Sequence, residues 1–454
     1  MEPLKLLVMN RKKDTSFIFI LVGILALLMG LFFGAVGAFQ MIVPDFLPGI
    51  PFFKARPLHV SLVVAWIFLI AIGGIYHYMP KYIGLNWYSR KLIVVHLGLF
   101  VITGLGIIMA YLYGKFGGRE YWEFPPILAI PILLSWLLFA FNFYKTIFQK
   151  KNSWPVYLWM WASGIAFFFI TFLEANAWIF DFISGNIVRE ITIQWKAYGA
   201  LVGSWNLLVY GTAIFLMERI AKDNRMALSR TAFLLYFLGL TNLIFGWAHH
   251  TYAVPSSSWI RQLAYGVSMS ELLILGKIIW DWRKSLNSAQ KHQHLLPFRF
   301  LFASDIWVFL NLILALLMSI PGLNLLSHGT HITVAHAMGS TIGINTMILL
   351  SSVFYLLKGD HNQSRYMRYP NSVNLGFWIL NISLLFFWIS LLMAGIGKAL
   401  SSSTVTFQEM MGHIQPYLTG FAYAGVGIFV GLILILIPAL LSLKYKYQDE
   451  RISS

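Results

Sequence analysis

Twelve long apolar runs alternate with short polar segments along the chain, at about 15–43, 59–80, 91–114, 126–147, 154–180, 195–218, 230–252, 258–281, 303–321, 328–357, 373–397 and 414–443. Each run is continuous and does not alternate apolar with polar positions. That pattern predicts spanning helices and not barrel strands, because about 20 apolar residues cross a bilayer as a helix. The first run is too long for a signal-peptide core and is expected to stay as a helix. No hydrophilic stretch is long enough for a second domain, so residues 1–454 are expected to form one all-α integral-membrane domain.

Composition strengthens this picture. Charged residues are 11% of the 454, against 58% hydrophobic and 17% aromatic. Soluble proteins carry roughly 25% charged residues, so a soluble enzyme is excluded. The net charge of +16 does not point to nucleic acid, because basic residues of membrane proteins collect in cytoplasmic loops. With the N-terminus inside, 25 of the 33 Lys and Arg fall in inner segments and 8 in outer ones. The chain is therefore expected to run N-in and C-in, with both termini cytoplasmic. Cysteine is absent. This excludes disulfides, iron–sulfur clusters, covalent c-type haem and thiolate copper. Redox ligands would have to be His, Met, carboxylate, amide or phenol.

The twelve histidines divide into two groups. His77, His96, His292, His294, His361 and His413 fall at inner helix ends, in inner loops or at the outer edge of the last helix. They are expected to be solvated or interfacial. The others gather toward the outer half. His59 opens the second helix, His249 and His250 close the seventh, and His328, His331 and His336 lie in the first third of the tenth. Ligating groups at that depth are functional candidates by default. Residues two apart point about 200° apart around a helix, so His336 and Met338 face opposite sides of the tenth. One helix could then give an axial ligand to each of two haems. His59 could complete the haem on the Met338 side, and His249 and His250 could hold a metal opposite the open face of the other.

Four segments carry a family resemblance: RPLH ending at His59, GREYWEFP from Gly118 to Pro125, GWAHHTY from Gly246 to Tyr252, and HGTHITVAHAM from His328 to Met338. With their order and the twelve runs, the chain resembles the catalytic subunit of cytochrome c-dependent nitric oxide reductase, in the haem-copper oxidase superfamily. The resemblance implies a subunit I-like bundle with two b-type haems and a non-haem metal, iron by preference and copper as the alternative. It implies His336 on the high-spin haem, His59 on the low-spin haem, and His249 and His250 on the non-haem metal. It also implies Glu123 as a calcium ligand and Glu271 beside the iron. Three positions depart from the family pattern. Asn206 and Tyr210 stand on the sixth helix where the family has a histidine and a glutamate ligand, and Met338 stands where it has histidine. Residues four apart share a helix face, so both Asn206 and Tyr210 could still face the metal.

Two histidines with oxygen donors suit non-haem iron better than copper. The implied reaction joins two NO with two electrons and two protons to give N2O and water. Tyr210 and Glu271 are the implied catalytic groups, and protons would enter from the outer side. Dismutation of NO to N2 and O2 ranks second, and O2 reduction ranks third, since Asn206 and Tyr210 echo the four-residue His-to-Tyr spacing of aerobic oxidases. Electrons would come from a cytochrome c subunit or quinol. Membrane lipid and a small gas are the other expected partners, and the location is a bacterial cytoplasmic membrane. A twelve-helix transporter would show two similar halves and a mid-membrane polar site, and neither is evident. An inactive haem-binding sensor would keep haem without turnover.

Overall fold

A computed structural model describes residues 15–249, 252, 255–359, 369–401 and 405–452. Twelve helices are long and apolar enough to span a membrane. They are α1 (Ser16–Gln40), α2 (Phe52–Ile83), α3 (Arg90–Leu112), α4 (Pro126–Ile147), α5 (Val156–Ile179) and α6 (Ile187–Ala221). These are followed by α7 (Arg230–Ala248), α8 (Ser258–Ser285), α9 (Leu295–Ser319), α10 (His331–Lys358), α11 (Pro370–Ser401) and α12 (Phe407–Lys444). Among the described residues the extended pairing is limited to one bridge, Arg119 with Trp122. The chain is an integral membrane protein, as its apolar runs require.

Sequence neighbours pack as antiparallel pairs, and α12 returns against α1. Even-numbered helices start at one end, called the top here, and finish at the bottom. Within the ring, α2, α6 and α10 touch one another. Burial identifies them as the axis. In their most apolar stretches 72%, 72% and 83% of residues are buried, against 28% in α3 and 24% in α8. Close approach relies on small residues, as in other membrane bundles. A Cβ on Gly376 of α11 would lie 2.6 Å from the Gly431 carbonyl of α12. Polar caps set several starts: Ser89 Oγ accepts from the Leu92 N–H at 3.4 Å, Asn186 Oδ1 from Arg189 at 3.1 Å and Ser229 Oγ from Ala232 at 3.1 Å.

Three boundaries differ from the sequence expectation, each for a local reason. α2 begins at Phe52, so His59 lies two turns inside the helix and does not open it. The charges that masked this start are tied down at the top: Lys54 Nζ donates to the Leu112 carbonyl at 2.9 Å, and Arg56 pairs with acids. α6 starts eight residues before the apolar run, on its Asn186 cap. α10 starts at His331, because Gly329 turns at φ 73° and Thr330 Oγ1 caps Ile332 at 3.2 Å. His328 therefore precedes the helix, with its ring 5.1 Å from that of Trp195.

Candidate functional site

His59 sits about 10 Å below the start of α2, at 1.5 Å per residue. Its Nδ1–H donates to the Gly30 carbonyl of α1 at 2.8 Å. A carbonyl only accepts, so Nδ1 carries the proton and Nε2 keeps a lone pair. The ring lies so close to α1 that a Cβ on Gly34 would fall 2.5 Å from Nδ1. Backbone anchoring of one ring nitrogen is what orients an imidazole for ligation by the other. His59 thus fits an axial-ligand role on its own geometry.

His336 and Met338 occupy the top third of α10. Directly after Met338 the helix widens into a π-turn, Gly339–Thr346, a distortion frequent at functional sites. The sequence did not reveal it. Asn311 of α9 clasps this transition, with Nδ2 donating to the His336 carbonyl at 3.1 Å and to Ser340 Oγ at 2.9 Å. Met338 is half-buried against the core.

The sixth-helix departures point toward other functional helices. Asn345 Nδ2 of α10 donates to Asn206 Oδ1 at 3.2 Å. One turn below, Tyr210 lies within electrostatic reach of Glu271 on α8. Asn242 of α7 donates through Nδ2 to Glu271 Oε2 at 3.1 Å, leaving Oε1 to face elsewhere. His249 closes a 3-10 turn, Gly246–His249, two turns after Asn242. His250 lies outside the described residues. Among the described residues no group of three or more His, Asp or Glu side chains gathers as a metal cluster. The donor set that surrounds α6, α7 and α8 is rich in oxygen, and α6 contributes no imidazole to it.

Glu123 lies in the top loop between α3 and α4. Its Oε1 accepts from Arg56 at 2.7 Å, and Arg56 also reaches Glu120 at 2.7 Å. Glu123 Oε2 is buried without a hydrogen-bond partner among the described residues. Burial raises this carboxyl above its ordinary range, against the lowering effect of Arg56. One oxygen is thus held by Arg56, and the other is left open to a ligand. Beside it Arg119 pairs with Glu190 at the start of α6 at 2.5 Å.

Several partners escaped sequence reasoning: Gly34, Asn242, Asn311 and Asn345 have no motif, and only packing reveals them. The expectation of solvated inner histidines is corrected for three. His77 is 3% and His96 0% exposed, and Tyr76 Oη lies 2.9 Å from His96 Nδ1. His294 is buried against Tyr355. Neighbouring aromatic rings cover them, which a linear reading does not count. His361 lies outside the described residues.

Comparison with known proteins agrees with this arrangement. Residues 14–437 match the family described as Cytochrome C and Quinol oxidase polypeptide I. A nitric oxide reductase subunit from Stutzerimonas stutzeri is 22% identical over 88% of this chain and 89% of its own length. The cbb3-type cytochrome c oxidase subunit CcoN1 of the same organism is 23% identical over 91% and 90%. A haem-copper terminal oxidase solved as a dimer superposes with a TM-score of 0.74 at 15% identity, covering 95% of this chain and 84% of that one. With its twelve-helix bundle and the family match running over nearly its whole length, the chain belongs to the cytochrome c and quinol oxidase polypeptide I family of the haem-copper oxidase superfamily.

Proposed function

We propose that the protein is a single membrane-embedded oxidoreductase that reduces NO to N2O at a haem and non-haem iron centre near the top of the bundle. The observation that carries this reading is the chemistry around α6. Where a copper site would want a third imidazole, the chain has the Asn206 amide and the Tyr210 phenol, with the Glu271 carboxyl beside it. Oxygen donors with two imidazoles favour iron. The similarity to a nitric oxide reductase subunit over 88% of the chain supports the same choice.

His59 and Met338 would hold a low-spin b-type haem, and His336 a high-spin one. His249 and His250 would hold the metal, with Asn206 near it, and Glu123 Oε2 would face a calcium ion. Bound haem and non-haem iron supply electron transfer and the two binding positions for NO. The chain's own work is positional. Gly30 and Gly34 fix the His59 ring, and Asn311 fixes the α10 backbone at His336. Asn242 holds Glu271 Oε2, so that Oε1 can keep or pass a proton near Tyr210 Oη. We infer that the top faces outward in a bacterial cytoplasmic membrane, with both termini inside, and that cytochrome c or quinol donates electrons.

O2 reduction is the second reading, favoured by the Asn206–Tyr210 spacing and by the cbb3-type relative. Anaerobic addition of NO to the reduced, purified protein separates the two, with gases followed by mass spectrometry and metals by elemental analysis. N2O with iron in excess of haem iron is expected. Copper, with no N2O formed and with O2 consumed when O2 is supplied to the reduced protein in place of NO, would refute the proposal, and N2 with O2 would assign dismutation.

A further inference from the structure

A polar cavity of about 560 Å³ opens at the bottom of the bundle, far from the histidine site. Its walls are the lower ends of the three axial helices and the turn before α9. Perimeter helices such as α1, α3 and α4 take no part, so the cavity faces the aqueous side and not the lipid. Three cations converge on it: Arg219 and Lys222 from the end of α6, and Lys358 from the end of α10. Among the described residues no carboxylate lies within ion-pair distance of Arg219 or Lys222. Arg219 instead rests on aromatic groups, 3.5 Å from Tyr355 Oη and 4.9 Å over the Tyr82 ring. Lys222 holds a left-handed backbone, φ 54°, at a helix end where glycine is usual. The combined field is felt by His294 in the cavity wall, whose pKa falls to about 4 through burial and then through Lys358, Lys222 and Arg219.

Two acids also line the cavity, and they narrow the choice of ligand. Asp223 is taken up by Arg225, with both oxygens at 2.9 to 3.0 Å. Glu218 is different: its Oε2 is buried with no hydrogen-bond partner among the described residues. A carboxylate oxygen only accepts. A ligand that satisfies all of these groups offers several anionic oxygens to the cations and one O–H to Glu218. Sulfate and phosphodiesters lack that O–H at neutral pH, whereas inorganic phosphate keeps at least one and a phosphate monoester carries one when singly charged.

We propose that this cavity binds a protonated phosphate group, with Arg219, Lys222 and Lys358 taking its oxygens and Glu218 Oε2 accepting its P–OH proton. The site stands apart from the redox centre, and its failure would leave the reading of that centre untouched. The test is calorimetric titration of the full chain in phosphate-free detergent near pH 8.5, where a buried carboxyl is ionised and inorganic phosphate still carries one O–H, with inorganic phosphate and with sulfate. Phosphate should bind at least about tenfold more tightly than sulfate, since a charge-assisted hydrogen bond separates them. Arg219→Gln and the exposed Lys222→Gln should each weaken phosphate binding by about tenfold or more, with the haem spectrum unchanged. Glu218→Gln, which can donate, should erase the preference over sulfate. Binding only to bilayers containing phosphatidic acid would assign the same monoester chemistry to a lipid. Equal affinity for sulfate, no binding of either inorganic phosphate or phosphatidic acid by natively folded protein, or binding that survives both cation variants would overturn the proposal.

Discussion

The closest structural control on the proposed low-spin haem is a residue with no side chain. A Cβ on Gly34 would lie 2.5 Å from His59 Nδ1 and 2.7 Å from Cε1, while ordinary contact begins at 3.4 Å. The imidazole would have to retreat by about 0.9 Å. It has little freedom to do so, because Nδ1–H is tied to the Gly30 carbonyl at 2.8 Å. A shift of that size breaks the bond or tilts the ring. Losing the bond costs roughly 1 kcal/mol, and overpacking adds about 1–3 kcal/mol. Loss of such an orienting partner typically weakens metal ligation by about 10–100-fold. Gly34→Ala is therefore expected to fold, to keep the high-spin haem, and to lose most of the low-spin signal in optical and EPR spectra, approaching His59→Ala. Gly98→Ala is the matched control, since nothing lies within 4 Å of its Cβ, and it should look native. A Gly34→Ala protein with a full low-spin signal would refute the assignment of His59 and the constraint drawn from its anchoring.

Other expectations test separate parts. Gly118→Ala places a Cβ 1.7 Å from the Trp122 carbonyl, so the loop that presents Glu123 cannot persist. A loss of about 3 kcal/mol or more should appear as a lower melting temperature, and a native melting curve would contradict the loop geometry. Glu271→Gln should keep both haems but slow turnover by about a hundredfold or more if the carboxyl handles protons, and near-native turnover would remove that role. His294 is held at about 4, below its ordinary 6.5, so the folded state disfavours its charged form. Stability should fall as pH drops from 6.5 toward 4, and His294→Gln should flatten that part of a melting-temperature profile. An unchanged acid slope would show that His294 does not contribute.

The twelve helices were legible because a bilayer demands long apolar runs, and each run appeared in the structure. Boundaries were legible only where polarity and helix end coincide. At α2 they do not: Lys54 and Arg56 are helical and still polar, since one caps a carbonyl and the other pairs with acids. The depth of His59 was misplaced for that reason. The ligand-type residues His59, His336 and Tyr210 announced themselves by chemistry. Their supports did not, because Gly34, Asn311 and Asn345 are common residue types whose importance arises from a neighbour distant in sequence. The π-turn after Met338 depends on backbone pairing that side-chain patterns do not encode.

The sixth-helix departure is also not an isolated exchange. Asn206 Oδ1 accepts from Asn345 Nδ2 at 3.2 Å. Asn345 is 1% exposed, and its own Oδ1 has no hydrogen-bond partner among the described residues. Asn206→His alone would bring an imidazole toward the proposed metal site but leave Asn345 Nδ2 to find another acceptor. A buried donor left unsatisfied costs about 1–3 kcal/mol, while removing both partners is nearly neutral. The single variant should therefore lose stability, and Asn206→His with Asn345→Leu should recover most of it. Both should raise retention of the non-haem metal, since imidazole is the stronger ligand. Melting temperature and metal stoichiometry of the four proteins in that cycle decide the matter. Additive effects on stability would show that the two amides are neighbours without being partners.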